Sequence, residues 1–397
     1  MGKISNRLSA LSRSATLAMN QRSRELVLEG FDIINLSIGE PDFDTPDHIK
    51  AAAIKAIHEN FTHYPPVPGF MDLRKAVSSK LERDNDLHYT PNEIIISNGG
   101  KQVIANVLLS VMNPGDEIII PAPFWVSYPE MAKLAEGIAV YIQADLSQDY
   151  KITPEQLEAA ITPRSKVFIF SSPSNPSGQI YSRDELAALA EVFERYPQII
   201  VISDEIYEHI NYSGKHESIA QFEAIRDQVA IVNGVSKGYA MTGWRIGFLA
   251  GPQWLVESCQ KLQGQYTSGA CSIAQKAAKE ALLGDQSHIP LMLAIFEERR
   301  DLVVEELKKM PGVKTGVPEG AFYVLPDISS YFGTSDGEFD VRDCEDMAMY
   351  LLNKAQVATV AGSAFGAIGC IRFSYATSTE ILQKGLDRIA KALSELK

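Results

Sequence analysis

Residues 232–247 read Val-Asn-Gly-Val-Ser-Lys-Gly-Tyr-Ala-Met-Thr-Gly-Trp-Arg-Ile-Gly. They follow directly on the apolar run 229–232. Val232, Val235, Trp244, Ile246 and Phe248 form an apolar frame around them. Inside the frame, Lys237 sits among Gly234, Ser236, Gly238 and Gly243, with Arg245 further along the same stretch. Glycines let backbone approach a ligand closely. A half-buried lysine has a lowered pKa, and its neutral amine attacks a carbonyl to form a Schiff base. The same residues also describe a turn between two strands with a snorkelling lysine. The rest of the chain decides between these readings.

Working outward, short apolar runs alternate with amphipathic helical segments. Strands are expected at 94–97, 117–120, 167–170, 199–202 and 229–232, helices at 101–112 and 184–194, and a further helix, strand and helix through residue 161. Such alternation indicates an α/β fold with a mostly parallel sheet buried on both faces. Ligands of such sheets sit beyond the carboxyl ends of the strands. Towards the N-terminus, Ser14 reads as the cap of a helix running to Glu29 and stopped by Gly30. An apolar run at 33–36 leads into the turn-rich segment 39–46. Thr45-Pro46 starts a second helix through Ile57, with proline at its first position. A rigid proline-rich loop at 64–69 precedes a helix around 73–81. After Gly251-Pro252 the pattern changes to long helices at 254–263, 272–283 and 291–309. An α+β unit follows: strands 322–325, 357–360 and 371–375, a helix at 343–354, and a terminal helix. The expected layout is a large α/β domain over residues 47–290 and a smaller α+β domain built from residues 1–46 and 291–397.

Composition narrows the function. The chain has 397 residues, ordinary hydrophobic (45%) and charged (22%) fractions, and a formal charge of -13, which argues against nucleic acid or an anionic membrane as the main partner. Cys259, Cys271, Cys344 and Cys370 are scattered, without a CxxC pair, and no His cluster has metal-ligand spacing, so no metal is expected. The cysteines read as reduced thiols of a cytoplasmic protein. Residues 1–13 are basic but lack the apolar core of a secretory signal, and Gly2 is followed by Asn6 where myristoylation wants Ser or Thr. No apolar run reaches the ~20 residues of a membrane span.

Several polar residues fall where strands end. Asn175 follows the strand at 167–170 in Ser-Ser-Pro-Ser-Asn-Pro-Ser-Gly, either as a ligand group or as a turn residue. Asp204 ends the stretch Ile199-Ile-Val-Ile-Ser-Asp204. A carboxylate there is costly unless it meets a cation, although it also suits the cap of the next turn. Tyr207 shares a face with Asp204 if that segment is helical. Gly99-Gly100 opens a helix directly after a strand, which makes an anion site of free N–H groups and helix dipole. Neither GxxxxGK[ST] nor GxGxxG is present. Ser236 and Arg245 add donors for the same anion. Trp125 follows another strand and suits stacking on a flat ring, or core packing. Arg372 interrupts an apolar strand, and its fork calls for a carboxylate, either internal or from a ligand. Together these groups match the needs of pyridoxal phosphate: a Schiff-base lysine, a carboxylate for the ring nitrogen, a phenol and an amide for the ring oxygen, an anion site and a stacking aromatic.

Here the chain resembles the fold-type I, class I aminotransferases that use pyridoxal 5'-phosphate, and within them the bacterial Ib subgroup of aspartate aminotransferases. The resemblance rests on Ser14-Ala-Thr16, Gly39-Glu-Pro-Asp-Phe43, the stretch 121–129 (Pro-Ala-Pro-Phe-Trp-Val-Ser-Tyr-Pro), Ser174-Asn-Pro176, Ser203-Asp-Glu-Ile-Tyr-Glu208, 236–245, Gly320-Ala-Phe-Tyr323 and Arg372-Phe-Ser-Tyr-Ala376. It implies that Lys237 holds the cofactor and moves the substrate proton, that Asp204 keeps the ring nitrogen protonated, and that Tyr207 and Asn175 bond the ring oxygen. Gly99, Gly100, Lys101, Ser236 and Arg245 would surround the phosphate, and Trp125 would stack on the ring. Tyr64 would reach the phosphate of a neighbouring subunit, implying a homodimer with shared sites. Arg372 would clamp the substrate α-carboxylate beside Gly39, with Lys101, Thr16 and Ser14 receiving the side-chain carboxylate. The expected reaction is ping-pong transfer from L-aspartate to 2-oxoglutarate. The alternatives are an aromatic-, alanine-, kynurenine- or prephenate-type aminotransferase, a β-lyase, or a non-catalytic cofactor-binding regulator. Relatives that accept prephenate carry a lysine two residues before Ser-Ala-Thr. This chain has Ser12 there, with Arg13 next to it.

Overall fold

The computed structural model describes residues 4–397, so Gly2 and its myristoylation reading lie outside the described residues. A short strand β1 (Ile34–Asn35) precedes a seven-stranded sheet. Its strands are β2 (Ile94–Ser97), β3 (Glu117–Ala122), β4 (Ile138–Gln143), β5 (Ser165–Ser171), β6 (Ile200–Asp204), β7 (Val229–Gly234) and β8 (Gly247–Ala250), in the spatial order β2-β8-β7-β6-β5-β3-β4. β8 runs antiparallel to both neighbours, and the remaining pairs are parallel. This is the expected α/β architecture.

The apolar runs make this sheet because both of its faces are covered. Successive side chains of a strand point to opposite faces. Accordingly Ile94, Ile96, Ile119, Phe168 and Phe170 pack into one core with the helices Asp47–His58, Met71–Asn85, Arg183–Glu194 and Ser272–Leu283. Ile95, Ile118, Ile120, Val167 and Ile169 pack into another with the helices Gly100–Val111, Ser127–Leu134 and Gln253–Tyr266. A third core joins the chain ends: Ile34 and Leu36 meet Phe296, Phe322, Leu382 and Ile389, on strand and loop residues and the helices His288–Lys309 and Thr379–Glu395.

Three local expectations change. Pro46 is not the first helical residue but the cap, because its extended backbone (φ -52°, ψ 144°) turns its carbonyl towards the amides of Ile49 and Lys50. The expected strand at 357–360 is two strands, since the chain changes partner at Thr359. Val357–Ala358 pairs parallel with β1, and Val360–Ala361 pairs antiparallel with Ile371–Ser374, which in turn pairs with Tyr323–Val324. The helix expected at 343–354 is Cys344–Tyr350, closed by a π-helical turn at Leu351–Ala355. No helix among the described residues is long and apolar enough to cross a membrane.

Candidate active site

The carboxyl ends of β2, β3, β5, β6 and β7 open on one cavity of about 390 Å³. Of the residues singled out from sequence, Lys237, Asp204, Tyr207, Asn175, Trp125 and Arg372 line it, as do Gly39, Gly100, Lys101, Ser236, Arg245, Ser14 and Thr16. Two do not. Gly99 stands just behind the lining. Tyr64, expected to serve a neighbouring subunit, is 95% exposed and lies off this cavity.

The end of β6 and the turn that follows it carry the acid and the phenol. Asp204 is the last residue of that fully buried strand. Its Oδ2 accepts from the Tyr128 hydroxyl at 2.7 Å, and its Oδ1 only a long bond, 3.4 Å, from the Ile206 amide. Burial pushes its carboxyl up to about 6, against the opposing pull of the Tyr128 hydrogen bond. The buried Tyr207 hydroxyl lies 2.8 Å from that of Tyr323, and burial holds its pKa far above the ordinary phenol value.

Lys237 sits in the loop joining β7 to β8. Its Nζ donates to the Gly39 carbonyl at 2.6 Å and lies 5.6 Å from the centre of the Tyr207 ring. Desolvation brings its pKa down to about 8, the attraction of Glu40 notwithstanding. The amine is therefore partly neutral near physiological pH, as a nucleophile or proton carrier must be. A Cβ on Gly39 would run into the Tyr323 hydroxyl, so any larger residue there must displace that ring.

The anion end is built from backbone. The helix Gly100–Val111 starts at Gly99, whose φ of +85° suits glycine, and no side chain caps it. A Cβ on Gly99 would strike the Arg245 guanidinium, which donates to the carbonyls of Thr242 (3.0 Å) and Asn98 (3.1 Å). With Ser236 alongside, free N–H groups, a helix dipole and a guanidinium converge here.

Arg372 is 2% exposed. It donates to Asn175 Oδ1 at 2.9 Å and to the Ser37 carbonyl at 2.6 Å, while its Nε has no partner among the described residues. Its guanidinium carbon lies 4.5 Å from the Tyr323 ring centre, and burial lowers its pKa. Lys101 holds its Nζ 4.9 Å from the Trp125 ring centre, with its pKa lowered by partial desolvation and by Arg245. Among the described residues neither cation has a carboxylate partner. The internal partner that the sequence left open for Arg372 is thus an amide and a carbonyl. Ser14 Oγ takes a long bond from the Leu17 amide as helix cap and also faces the cavity.

Sequence reasoning gave no role to Tyr128, Tyr323 or Ser171, which line the same cavity. Tyr128 lies just past Trp125 in the quoted stretch 121–129, but its partner Asp204 is remote in sequence. A second cluster forms behind the turn, where Glu205, Glu208 and His216 bring ligand atoms within 4.8 Å of one another. The protein's own cations already stand there: Lys80 pairs with Glu208, and His216 lies 3.1 Å from Glu205.

Comparison with known proteins gives one answer. Residues 32–389 match the family model for aminotransferase class I and II. An aspartate/prephenate aminotransferase of Cereibacter sphaeroides is 49% identical over 98% of both chains. A bifunctional aspartate and glutamate/aspartate-prephenate aminotransferase of Petunia hybrida is 47% identical over 99% of this chain and 83% of its own. The crystal structure of an aspartate aminotransferase from Rhizobium meliloti superposes with a TM-score of 0.97 at 41% identity, covering 100% of both chains. A Thermus thermophilus aspartate aminotransferase solved with maleate gives 0.93 at 39% identity, covering 99% of this chain and 100% of that one. Fold, cavity and relatives agree that this chain belongs to the class I and II aminotransferases.

Proposed function

We propose that the protein moves the amino group of L-aspartate to 2-oxoglutarate in a ping-pong cycle, giving oxaloacetate and L-glutamate. The observation that carries this is the pair of cations in one cavity, Arg372 and Lys101, neither matched by a carboxylate among the described residues. A dicarboxylic amino acid supplies two carboxylates, and an arginine fork orients one of them. The Thermus relative solved with maleate, itself a dicarboxylate, supports the same reading.

The cofactor of the family is pyridoxal 5'-phosphate, and the residues present fit it. The uncapped helix start at Gly99-Gly100, Ser236 and Arg245 suit its phosphate, Asp204 its ring nitrogen and Trp125 its ring face. When bound, it supplies an electron-withdrawing ring that makes the substrate α-proton removable. Lys237 Nζ would carry that proton from the substrate α-carbon to the cofactor C4′. Asp204 keeps a proton on the ring nitrogen. Tyr207 Oη and Asn175 Nδ2 donate to the ring oxygen, Asn175 Oδ1 being already committed to Arg372. Arg372 grips the α-carboxylate beside Gly39, and Lys101, Thr16 and Ser14 receive the other one. Tyr64 completes the phosphate site of a second copy in a homodimer. Residues 47–290 act as the large cofactor-binding domain and 1–46 with 291–397 as the small one, a division supported by the pairing of β1 with Val357–Ala358. Cytoplasmic location goes with the acidic balance and free cysteines.

The relatives named for prephenate favour a second reading, in which prephenate is also accepted. Ser12 speaks against it: its side chain is short and neutral, its amide donates to Glu130 at 2.7 Å, and neither Ser12 nor the exposed Arg13 lines the cavity. The test is an absorbance spectrum of the protein loaded with pyridoxal phosphate. A shift on adding aspartate that 2-oxoglutarate reverses is the expected result. A response only to alanine, an aromatic amino acid or arogenate, the amino counterpart of prephenate, replaces the substrate assignment, and no cofactor band removes the enzyme reading.

A further inference from the structure

We infer that Tyr128 is a positioning residue for this reaction: its hydroxyl holds the Asp204 carboxylate ionised and in one rotamer, leaving Oδ1 for the cofactor ring nitrogen. The inference rests on the reading of the cavity as a pyridoxal phosphate site. Tyr128 is 1% exposed and stands in the first turn of the helix Ser127–Leu134. Its hydroxyl meets Asp204 Oδ2 at 2.7 Å, and its ring packs edge-on against Trp125 with centroids 5.5 Å apart and planes at 85°. One side chain therefore ties the expected ring-nitrogen partner to the expected ring-stacking residue.

The chemistry explains why a phenol suits this place. A phenol has a single proton to donate, and here it is committed to Asp204. A lysine or arginine would also stabilise the carboxylate, but would cancel its charge and repel a protonated ring nitrogen. A neutral donor keeps the carboxylate charged without competing for it. The other groups facing Asp204 are the Ile206 amide, whose bond is long, and the charges of Glu205 and Lys237, which act in opposite directions. Without the phenol, only the long Ile206 bond holds this buried carboxylate among the described residues.

The test compares wild type, Tyr128→Phe, and protein with 3-fluorotyrosine incorporated at position 128, a stronger donor of nearly the same shape. The first readout needs no cofactor: the carboxyl titration of Asp204 by carbon NMR, assigned with Asp204→Asn. Tyr128→Phe should raise it by roughly one unit or more, and fluorotyrosine should lower it. The second is the dissociation constant of pyridoxamine phosphate, which should rise roughly tenfold in Tyr128→Phe. The third is a split in kinetics: kcat falls while KM for aspartate stays within about twofold. An unchanged Asp204 titration in folded Tyr128→Phe overturns the inference. Should that variant fail to fold, a fluorotyrosine protein that titrates like wild type overturns it instead. A wild-type protein that binds neither pyridoxal nor pyridoxamine phosphate overturns the cofactor reading, which the Asp204 titration does not depend on.

Discussion

The turn from Asp204 to Ile210 faces buried charge on two sides, and the two sides treat it in opposite ways. Behind the turn, Lys80 (1% exposed) pairs with Glu208 and donates to Asn85 at 2.7 Å, and Asn85 returns a 3.0 Å bond to Glu208. Glu205 accepts from Ser203 (2.8 Å) and Ser218 (2.6 Å) and faces His216. Burial alone would raise the Glu208 carboxyl, yet Lys80, His209 and His216 hold it well below the usual carboxylate range. Burial likewise works against a charged His216, and Glu205 overcomes it. On the cavity side, among the described residues, Arg372 has an amide and a carbonyl, Asp204 a phenol, and Lys101 the face of Trp125. Desolvating a charge costs several kcal/mol unless a partner offsets it. Behind the turn the chain supplies the partner. In the cavity it leaves that to a ligand, which is what marks the second set as a site and the first as scaffold.

This contrast can be broken, beginning with the largest effect. Lys237→Ala should lower turnover of aspartate by about 10⁴-fold or more while the fold survives, as circular dichroism and melting would show. Turnover near wild type would move the chemistry elsewhere. Lys80→Ala should cost about 3–5 kcal/mol in urea unfolding, because Glu208 is left buried and unpaired. Loss of activity at unchanged stability would mean that this side, too, is functional. Lys101→Ala should raise KM for aspartate about 10- to 100-fold, shift KM for a monocarboxylic donor by no more than about threefold, and change stability by less than ~0.5 kcal/mol. Equal damage to both substrates would deny it the second carboxylate.

The smallest effect is one of pH. The folded pKa of Lys237, about 8, lies below the unfolded value near 10.5. Between the two the unfolded chain binds the extra proton, so this lysine destabilises the cofactor-free protein fully below pH 8 and less and less as pH rises towards the unfolded value. Lys237→Met should therefore melt higher than wild type at pH 7, with the gap closing towards pH 10. Attachment of pyridoxal phosphate to the cofactor-free protein should speed up roughly tenfold between pH 7 and 9, as the neutral amine fraction grows. A flat profile would show that the amine is not desolvated.

Where the sequence was legible, local pattern sufficed. Apolar runs bounded by turn residues located the sheet, and polar residues at the run ends located most of the cavity, because strand ends are where such sheets bind ligands. β8 was foreseen only in the alternative reading of 232–247 as a turn between two strands, without bounds or direction, since Gly247–Ala250 follows a run of special-φ residues and pairs backwards with β2 and β7. Tyr128 and Tyr323 escaped for a different reason. Each acquires its meaning from a hydroxyl-to-side-chain contact with Asp204 or Tyr207, far away along the chain. A tyrosine in an apolar context carries no mark that separates a core ring from a hydrogen-bonding one. The matched cluster behind the turn was equally invisible, since Lys80 and Glu208 meet only in the folded chain.

The reversed direction of β8 has a consequence for how this enzyme can be altered. A parallel connection would need a crossover and would deliver its far end to the opposite edge of the sheet. Because β7 and β8 pair antiparallel, with Gly234 opposite Gly247, the loop between them leaves and re-enters at the same edge. Lys237 and Arg245 therefore travel on one loop whose two roots are stitched together and whose Val235, Tyr239, Met241 and Ile246 anchor it in the core. A substitution in that loop acts on amine and guanidinium together, because the same two strand ends carry both.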